Sequence, residues 1–281
     1  MSWDGFSLAL GGGGGRGWAH IGVARALDEA GLKPGLIVGT SMGAIIGTGM
    51  AAGFSPDDME RVARRTPVYR LVGRRARLAL FDPRPVVERL ARALGDPLIE
   101  ELPVPLAITT YDLATGRCVA VTRGRVADAV ERAIAVPLFF PPCADGEHLF
   151  CDAGLWESVP VSVARRLSPG RPVIGVWADT PKPAFFSLPP VASAMRRLSS
   201  RLGAGCAGEP LSARRYLAIL SARMAEPVIS EEPELLIRPR LGPMPAWHFS
   251  RVTEMSRRGY RDARAALEAA GLWAETARAA A

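Results

Sequence analysis

Lysine is almost absent. Lys33 and Lys182 are the only two, so nearly all of the positive charge is carried by arginine. The net charge of +7 and the pI near 9.8 suit an anionic membrane surface or nucleic acid. No nucleic-acid motif accompanies the arginines, and nucleic acid is set aside as a partner. An Arg, Ala and Pro bias of this kind also follows coding bias. Cysteine is scarce as well: Cys118, Cys143, Cys151 and Cys206 form no C-x-x-C and no Cys/His spacing for a metal. Free thiols in a reducing cytoplasm are the expectation, with no metal and no cofactor. The segment MSWDGFSLAL lacks a basic n-region, so no signal peptide is read. Charge is missing from one window, residues 34 to 56, yet six glycines from Gly35 to Gly53 interrupt it. A buried strand, a turn and a helix explain that window better than a membrane span. The remaining composition, 48% hydrophobic and 22% charged, is that of an ordinary globular protein.

What is present centres on Leu36 to Gly53. Leu36-Ile37-Val38 suits a buried strand, and a small-residue helix follows. Between them Gly39-Thr40-Ser41-Met42-Gly43 gives G-x-S-x-G, the spacing of a nucleophile elbow. In such a turn the serine is lifted clear of the sheet towards the positive end of the next helix. A side chain two residues to either side would collide with backbone, hence Gly39 and Gly43.

Upstream, the strand Phe6 to Leu10 runs into Gly11-Gly12-Gly13-Gly14-Gly15-Arg16-Gly17. The run satisfies G-x-G-x-x-G, but a dinucleotide site wants an acidic residue ending the next strand, and that strand ends in the elbow instead. The P-loop reading fails because no G-K-[ST] follows. The remaining use of such a loop is an oxyanion hole, in which backbone N–H groups converge on one point before a helix N-terminus.

The rest of the chain alternates helix and strand. Helices are expected from Trp18 (with Gly31 as C-cap), over Asp57–Arg65 behind the Ser55-Pro56 cap, over Pro83–Leu94, Val126–Ala135 and Pro160–Leu167, and in two stretches within Phe185–Ala225. An amphipathic helix over Phe249–Ala270 is expected to break near Gly259. Strands are expected over Val104–Thr110, Cys118–Thr122, Leu149–Cys151, Val173–Trp177 and Leu235–Ile237. Tyr69–Phe81 interleaves arginines with apolar residues and fits either a membrane-surface segment or a solvated basic one. The alternation implies a single α/β domain over residues 1–281, three-layer α/β/α with a mainly parallel sheet. Its core motifs lie within 6–178, and a C-terminal strand and helices, 185–271, pack on that core.

Three motifs in order, Gly12–Gly17, Gly39–Gly43 and Asp152-Ala153-Gly154, resemble those of bacterial patatin-like phospholipases. Softer similarity extends through AHIGVARALDEAGL, PLFFPP, VPVSVARRL and ELLIRP. The resemblance implies a Ser–Asp dyad acting on acyl esters of lipids, phospholipid or lysophospholipid. Ser41 would be the nucleophile, Asp152 the general base, and Gly13, Gly14 and Gly15 the oxyanion donors. Arg16, Gly39, Gly43 and Gly154 would support them. The protein would be cytoplasmic, with peripheral contact at an anionic inner membrane surface. A carboxylate has an unperturbed pKa near 3.9, and burial would bring Asp152 closer to a base's working range. Ala153 stands where the family usually carries Gly; at positive φ it would be strained by about 1–2 kcal/mol. Two rivals stay open. Ser41, Asp152 and His248 follow the chain order of a hydrolase triad, and a non-catalytic regulatory or scaffolding relative would keep the same fold.

Overall fold

The computed structural model of the chain describes residues 3–66, 68, 73–74, 79–178, 212–224, 226, 229 and 231–273. Most of the Tyr69–Phe81 segment, and of Phe185–Ala225 all but its final helix, lies outside the described residues. The chain builds an eight-stranded sheet of order β10-β9-β1-β2-β5-β8-β7, with β6 paired to β5. Here β1 is Ser7–Leu10, β2 Leu36–Thr40, β5 Leu106–Asp112 and β6 Arg117–Val121. Then come β7 (Cys143–Asp145), β8 (His148–Asp152), β9 (Val173–Val176) and β10 (Leu235–Ile237). Strands β10, β9, β1, β2 and β5 are parallel neighbours, while β6, β7 and β8 pair antiparallel, so the sheet is mixed. A separate two-stranded ribbon joins β3 (Gly73–Arg74) to β4 (Phe81–Asp82).

The strands' period of two divides the side chains by size. Leu8, Leu10, Ile37, Leu106, Ile108 and Ile174 point to one face and pack beneath α1 (Ala19–Glu29), α5 (Val126–Ala133) and α8 (Val252–Ala269). Ala9, Val38, Ala107 and Val173 point to the other and meet α6 (Val161–Leu167). That is the three-layer arrangement the alternation implied. Small residues on the second face bring the α6 layer close to the sheet. Large ones on the first face make the deeper core, each fully buried Leu or Ile contributing about 1.5–3 kcal/mol.

Three further helices lie between β2 and β5 in the chain. They are α2 (Met42–Ala51), α3 (Pro56–Arg64) and α4 (Arg84–Leu94). Helix α3 starts as its sequence dictates: Ser55 Oγ accepts the Asp58 N–H at 3.1 Å, with Pro56 at the first helical position. The remaining helix, α7, spans Ala213–Met224.

Two expectations need correcting. The long C-terminal helix does not break at Gly259; it runs unbroken over Val252–Ala269. Gly259 marks instead where α8 rests on α1, for a methyl group there would strike the Ala19 carbonyl. Gly22 of α1 answers it, lying against the backbone of Ser256 and Tyr260. The sequence also gave no sign of β7, which is three residues long and follows Pro141-Pro142.

Candidate active site

Strand β2 ends at Thr40 and α2 begins at Met42, leaving Ser41 alone in the turn. Ser41 has φ 54 and ψ −122, a conformation disfavoured for a side-chain-bearing residue. Its carbonyl accepts the Ala44 N–H at 2.9 Å, so it forms the N-cap of α2. The flanking glycines are sterically required. A Cβ on Gly39 would stand 2.5 Å from the Gly43 carbonyl oxygen, and one on Gly43 would stand 2.6 Å from that of Gly11.

The glycine loop lies against this turn. A Cβ at Gly12 would be 3.4 Å from Ser41 Cβ and 4.0 Å from its Oγ. Gly12 donates its N–H to Ser158 at 3.1 Å and Gly15 donates to Ala246 at 2.6 Å. Gly15 is therefore corrected out of the expected set of oxyanion donors, because its N–H is already engaged. Gly13 (φ 133) and Gly14 (φ 54) occupy backbone conformations that glycine adopts without strain. Among the described residues, neither donates its N–H to a backbone carbonyl. Arg16 is buried rather than solvated. Its Nε donates to Ala178 O at 3.0 Å, and its Nη1 to Gly242 O and Met244 O at 2.9 Å each. It thereby ties the loop to the C-terminal segment. Beneath the loop, fully buried His20 uses Nε2 to bond Gly11 O at 2.8 Å, and burial lowers its pKa to about 4.

Asp152 reaches the same place from the opposite direction. Along one edge of β5, β2 pairs with Leu106 to Thr109, and β8 pairs antiparallel with Thr110 to Asp112. The other edge is taken by β6. Thr40 and Asp152 thus pair with consecutive residues, Thr109 and Thr110. Three buried threonines stitch this junction. Thr40 Oγ1 lies 2.6 Å from Thr109 Oγ1, and Thr110 Oγ1 donates to Cys151 O at 2.8 Å. Sequence reasoning passed over them, although Thr109-Thr110 inside an otherwise apolar strand was the available signal. Asp152 is buried, with Oδ1 accepting the Gly154 N–H at 2.7 Å. A Cβ on Gly154 would sit 3.0 Å from that oxygen and 3.7 Å from Thr40 Cγ2. Ala153 starts a short 3-10 turn, Ala153–Leu155, and is not at positive φ, so the strain considered for it does not arise.

Two braces hold the Asp152 loop. Trp156 stacks on Tyr111, with centroids 3.7 Å apart, and its Nε1 donates to Arg223 O of α7 at 2.8 Å. Buried Asp112 accepts from His148 Nδ1 (2.8 Å), Thr115 Oγ1, and the N–H groups of Ala114 and Leu149. Burial alone would raise its carboxyl pKa, but those hydrogen bonds outweigh burial and hold it below the ordinary value. His148 is thus engaged with Asp112, His20 with Gly11, and His248 is exposed. Burial pushes the Cys143 thiol up to about 12 and that of Cys151 well above its usual value, which makes these two poor nucleophiles.

Ser41 and Gly14 lie at the wall of an apolar cleft that opens to solvent. Ile45 and Ile46 of α2, Met59 of α3, Leu90 of α4 and Val130 of α5 line it. Such a wall is suited to hydrocarbon, and Ser41 stands at it.

Comparison with known proteins identifies the family. The patatin-like phospholipase family model matches residues 8–165, spanning the glycine loop, the elbow and Asp152. An uncharacterised NTE family protein of Mycobacterium tuberculosis is 31% identical over 93% of this chain and 46% of its own length. The Lysophospholipase NTE1 of Mycosarcoma maydis is 30% identical over 56% of this chain and 9% of its own. The chain thus spans less than half the length of these relatives. Among solved structures, VipD from Legionella pneumophila shares the fold with a TM-score of 0.53 at 14% identity, over 96% of this chain and 67% of VipD. With more than half its length matched and its three motifs gathered around one turn, this chain belongs to the patatin-like phospholipase family.

Proposed function

We propose that the chain is a serine hydrolase of lipid acyl esters, working through Ser41 and Asp152. The observation that carries this reading is the meeting of an elbow serine, a glycine loop and a buried carboxylate, with Ser41 and Gly14 at one wall of an apolar cleft. Ser41 Oγ attacks the ester carbonyl and passes its proton to Asp152. The tetrahedral oxyanion is held by the Gly13 and Gly14 N–H groups, each good donor contributing about 3–4 kcal/mol. As the ester C–O bond breaks, the proton passes to the departing alcohol, and Asp152 then activates the water that releases the fatty acid. The acyl chain occupies the cleft, which favours phospholipid or lysophospholipid; the Mycosarcoma maydis relative is named a lysophospholipase. The protein works in the cytoplasm, in peripheral contact with an anionic membrane. Among the described residues, no helix is long and apolar enough to cross one. The scaffolding alternative drew on Ala153, whose unstrained backbone withdraws that support.

One experiment tests the reading: fluorophosphonate labelling with peptide mapping, alongside turnover of a short p-nitrophenyl ester. Wild type is expected to label at Ser41, and Ser41→Ala to lose both label and turnover. Asp152→Asn should stay folded and lose about a hundred- to ten-thousandfold in rate. His248→Asn should stay within a few-fold of wild type, and a thousandfold loss there would establish the triad instead. A folded wild type that neither labels nor cleaves any acyl ester would end the enzymatic reading.

A further inference from the structure

Four large apolar side chains stand in water beside the cleft. Leu80 and Leu138 are 57% and 49% exposed, and Phe139 and Phe81 follow at 48% and 39%. They form one patch, because the Leu80 N–H donates to Leu138 O at 3.1 Å and the Phe81 N–H to Phe139 O at 2.9 Å. The patch is continuous with the cleft: Val136 and Phe140 line it from the same loop, and so does Pro83 from beside Phe81. On a second segment Trp247, 71% exposed, stands two residues before Phe249, another lining residue. Neither segment is free to fold its apolar groups away. Pro137, Pro141 and Pro142 stiffen the first, and Leu138 is held there at φ 71, a costly conformation for leucine. The second is pinned on the glycine loop, where Trp18 Nε1 and the Gly15 N–H donate to the Phe249 and Ala246 carbonyls. Apolar groups held rigidly in water mark a surface built for a partner.

We propose that this rim of Leu80, Phe81, Leu138, Phe139 and Trp247 is where the protein seats on a lipid surface. The inference rests on the acyl-hydrolase reading. A rim inserted into the acyl region of a leaflet places the cleft mouth against the chains it takes up. A lipid chain then passes from bilayer to cleft along apolar surface, without crossing water. Trp247 suits the headgroup boundary, with an apolar ring and one N–H donor. The net charge of +7 adds attraction to anionic headgroups.

The test is sedimentation with phosphatidylcholine–phosphatidylglycerol vesicles, run beside turnover of soluble p-nitrophenyl butyrate. Removing two apolar anchors, in the paired variant Leu138→Asn with Phe139→Ser, is expected to weaken vesicle partitioning about tenfold or more. Butyrate turnover should stay within about twofold, since both residues stand outside the cleft. Phe139→Leu, which keeps the site apolar, should retain most of the binding. Should the paired variant fail to fold, doxyl-labelled lipid provides a second readout. It should quench wild-type tryptophan fluorescence, and Trp247→Phe should remove that quenching. Wild-type binding in the paired variant, or quenching unchanged without Trp247, overturns the proposal. So does a lipid-free dimer that the rim variants dissociate while still binding vesicles. Vesicle binding without ester cleavage or serine labelling would leave the rim standing and fell the hydrolase reading. Ester cleavage with rim-independent binding would do the reverse.

Discussion

At the scale of single residues, the site depends on small groups whose value is invisible without their neighbours. Ala153 is one. Its φ is not positive and its methyl is buried, so glycine gains nothing there and loosens the unfolded chain. Ala153→Gly is therefore expected to cost a few tenths to about 1 kcal/mol by urea denaturation; a stabilised variant would show that the loop is strained after all. His20 is another. Its pKa falls from 6.5 to about 4 on burial, so the unfolded chain takes up the proton more readily. The stability it contributes is complete above pH 6.5, is lost as pH falls, and reaches its floor below about pH 4. The loss amounts to roughly 3 kcal/mol at most. Urea midpoints at pH 7 and pH 4.5 should converge for His20→Gln, which can still donate to Gly11; parallel curves for both proteins would remove His20 from the acid sensitivity. The elbow was legible in the sequence because its G-x-S-x-G stands between a strand-like apolar run and a small-residue helix. The threonine pair at Thr109-Thr110 stood out in an apolar strand, but its partners did not, since nothing local says that Thr40 and Asp152 will flank it.

At the scale of elements, sequence reading succeeded where local chemistry governs and failed where packing does. Leu235–Ile237 was read to the residue because charge and proline bracket a three-residue apolar run. Gly259 was misread as a break because helix propensity takes no account of what lies beneath it. The α1–α8 crossing yields a sharp expectation. Gly→Ala inside a helix ordinarily stabilises by up to about 1 kcal/mol. At Gly259 the added methyl meets a carbonyl of the other helix's backbone, which cannot rotate away. Gly259→Ala is expected to destabilise by about 1–3 kcal/mol or more, read from thermal unfolding. A raised melting temperature would mean that the two helices are not in such close contact.

At the scale of the whole molecule, the family match ends at residue 165, while the packing does not. Strand β10 extends the sheet beyond β9, α8 covers α1, and the carbonyls of Gly242, Met244 and Ala246 bind Arg16 and Gly15. Removing everything after Ala178 takes the Gly242 and Met244 acceptors from Arg16 and bares the apolar face of α1. Each hydrogen bond lost from a charged group costs about 1.5–3 kcal/mol, a large fraction of a typical domain's stability. A 1–178 fragment is expected to lose its near-UV circular dichroism and to bind ANS; cooperative unfolding at the full-length temperature would contradict this. The overall architecture was legible because alternating strands and helices leave few topologies. The contribution of the C-terminal third to the glycine loop was not, since it rests on contacts between residues more than two hundred positions apart.

The head-on meeting of β2 and β8 along one edge of β5 makes the site insensitive to the length of chain between them. Ser41, which follows Thr40, and Asp152 are spaced by hydrogen-bonding register on a third strand, as marks are spaced on a ruler. Loops, helices or whole insertions between Thr40 and Asp152 can lengthen or shrink without altering that spacing, provided Thr109 and Thr110 keep their partners. The walls of the cleft, α3, α4 and α5, belong to that interval. Substrate range can therefore diverge in this scaffold, by evolution or by grafting, while the chemical step is inherited unchanged.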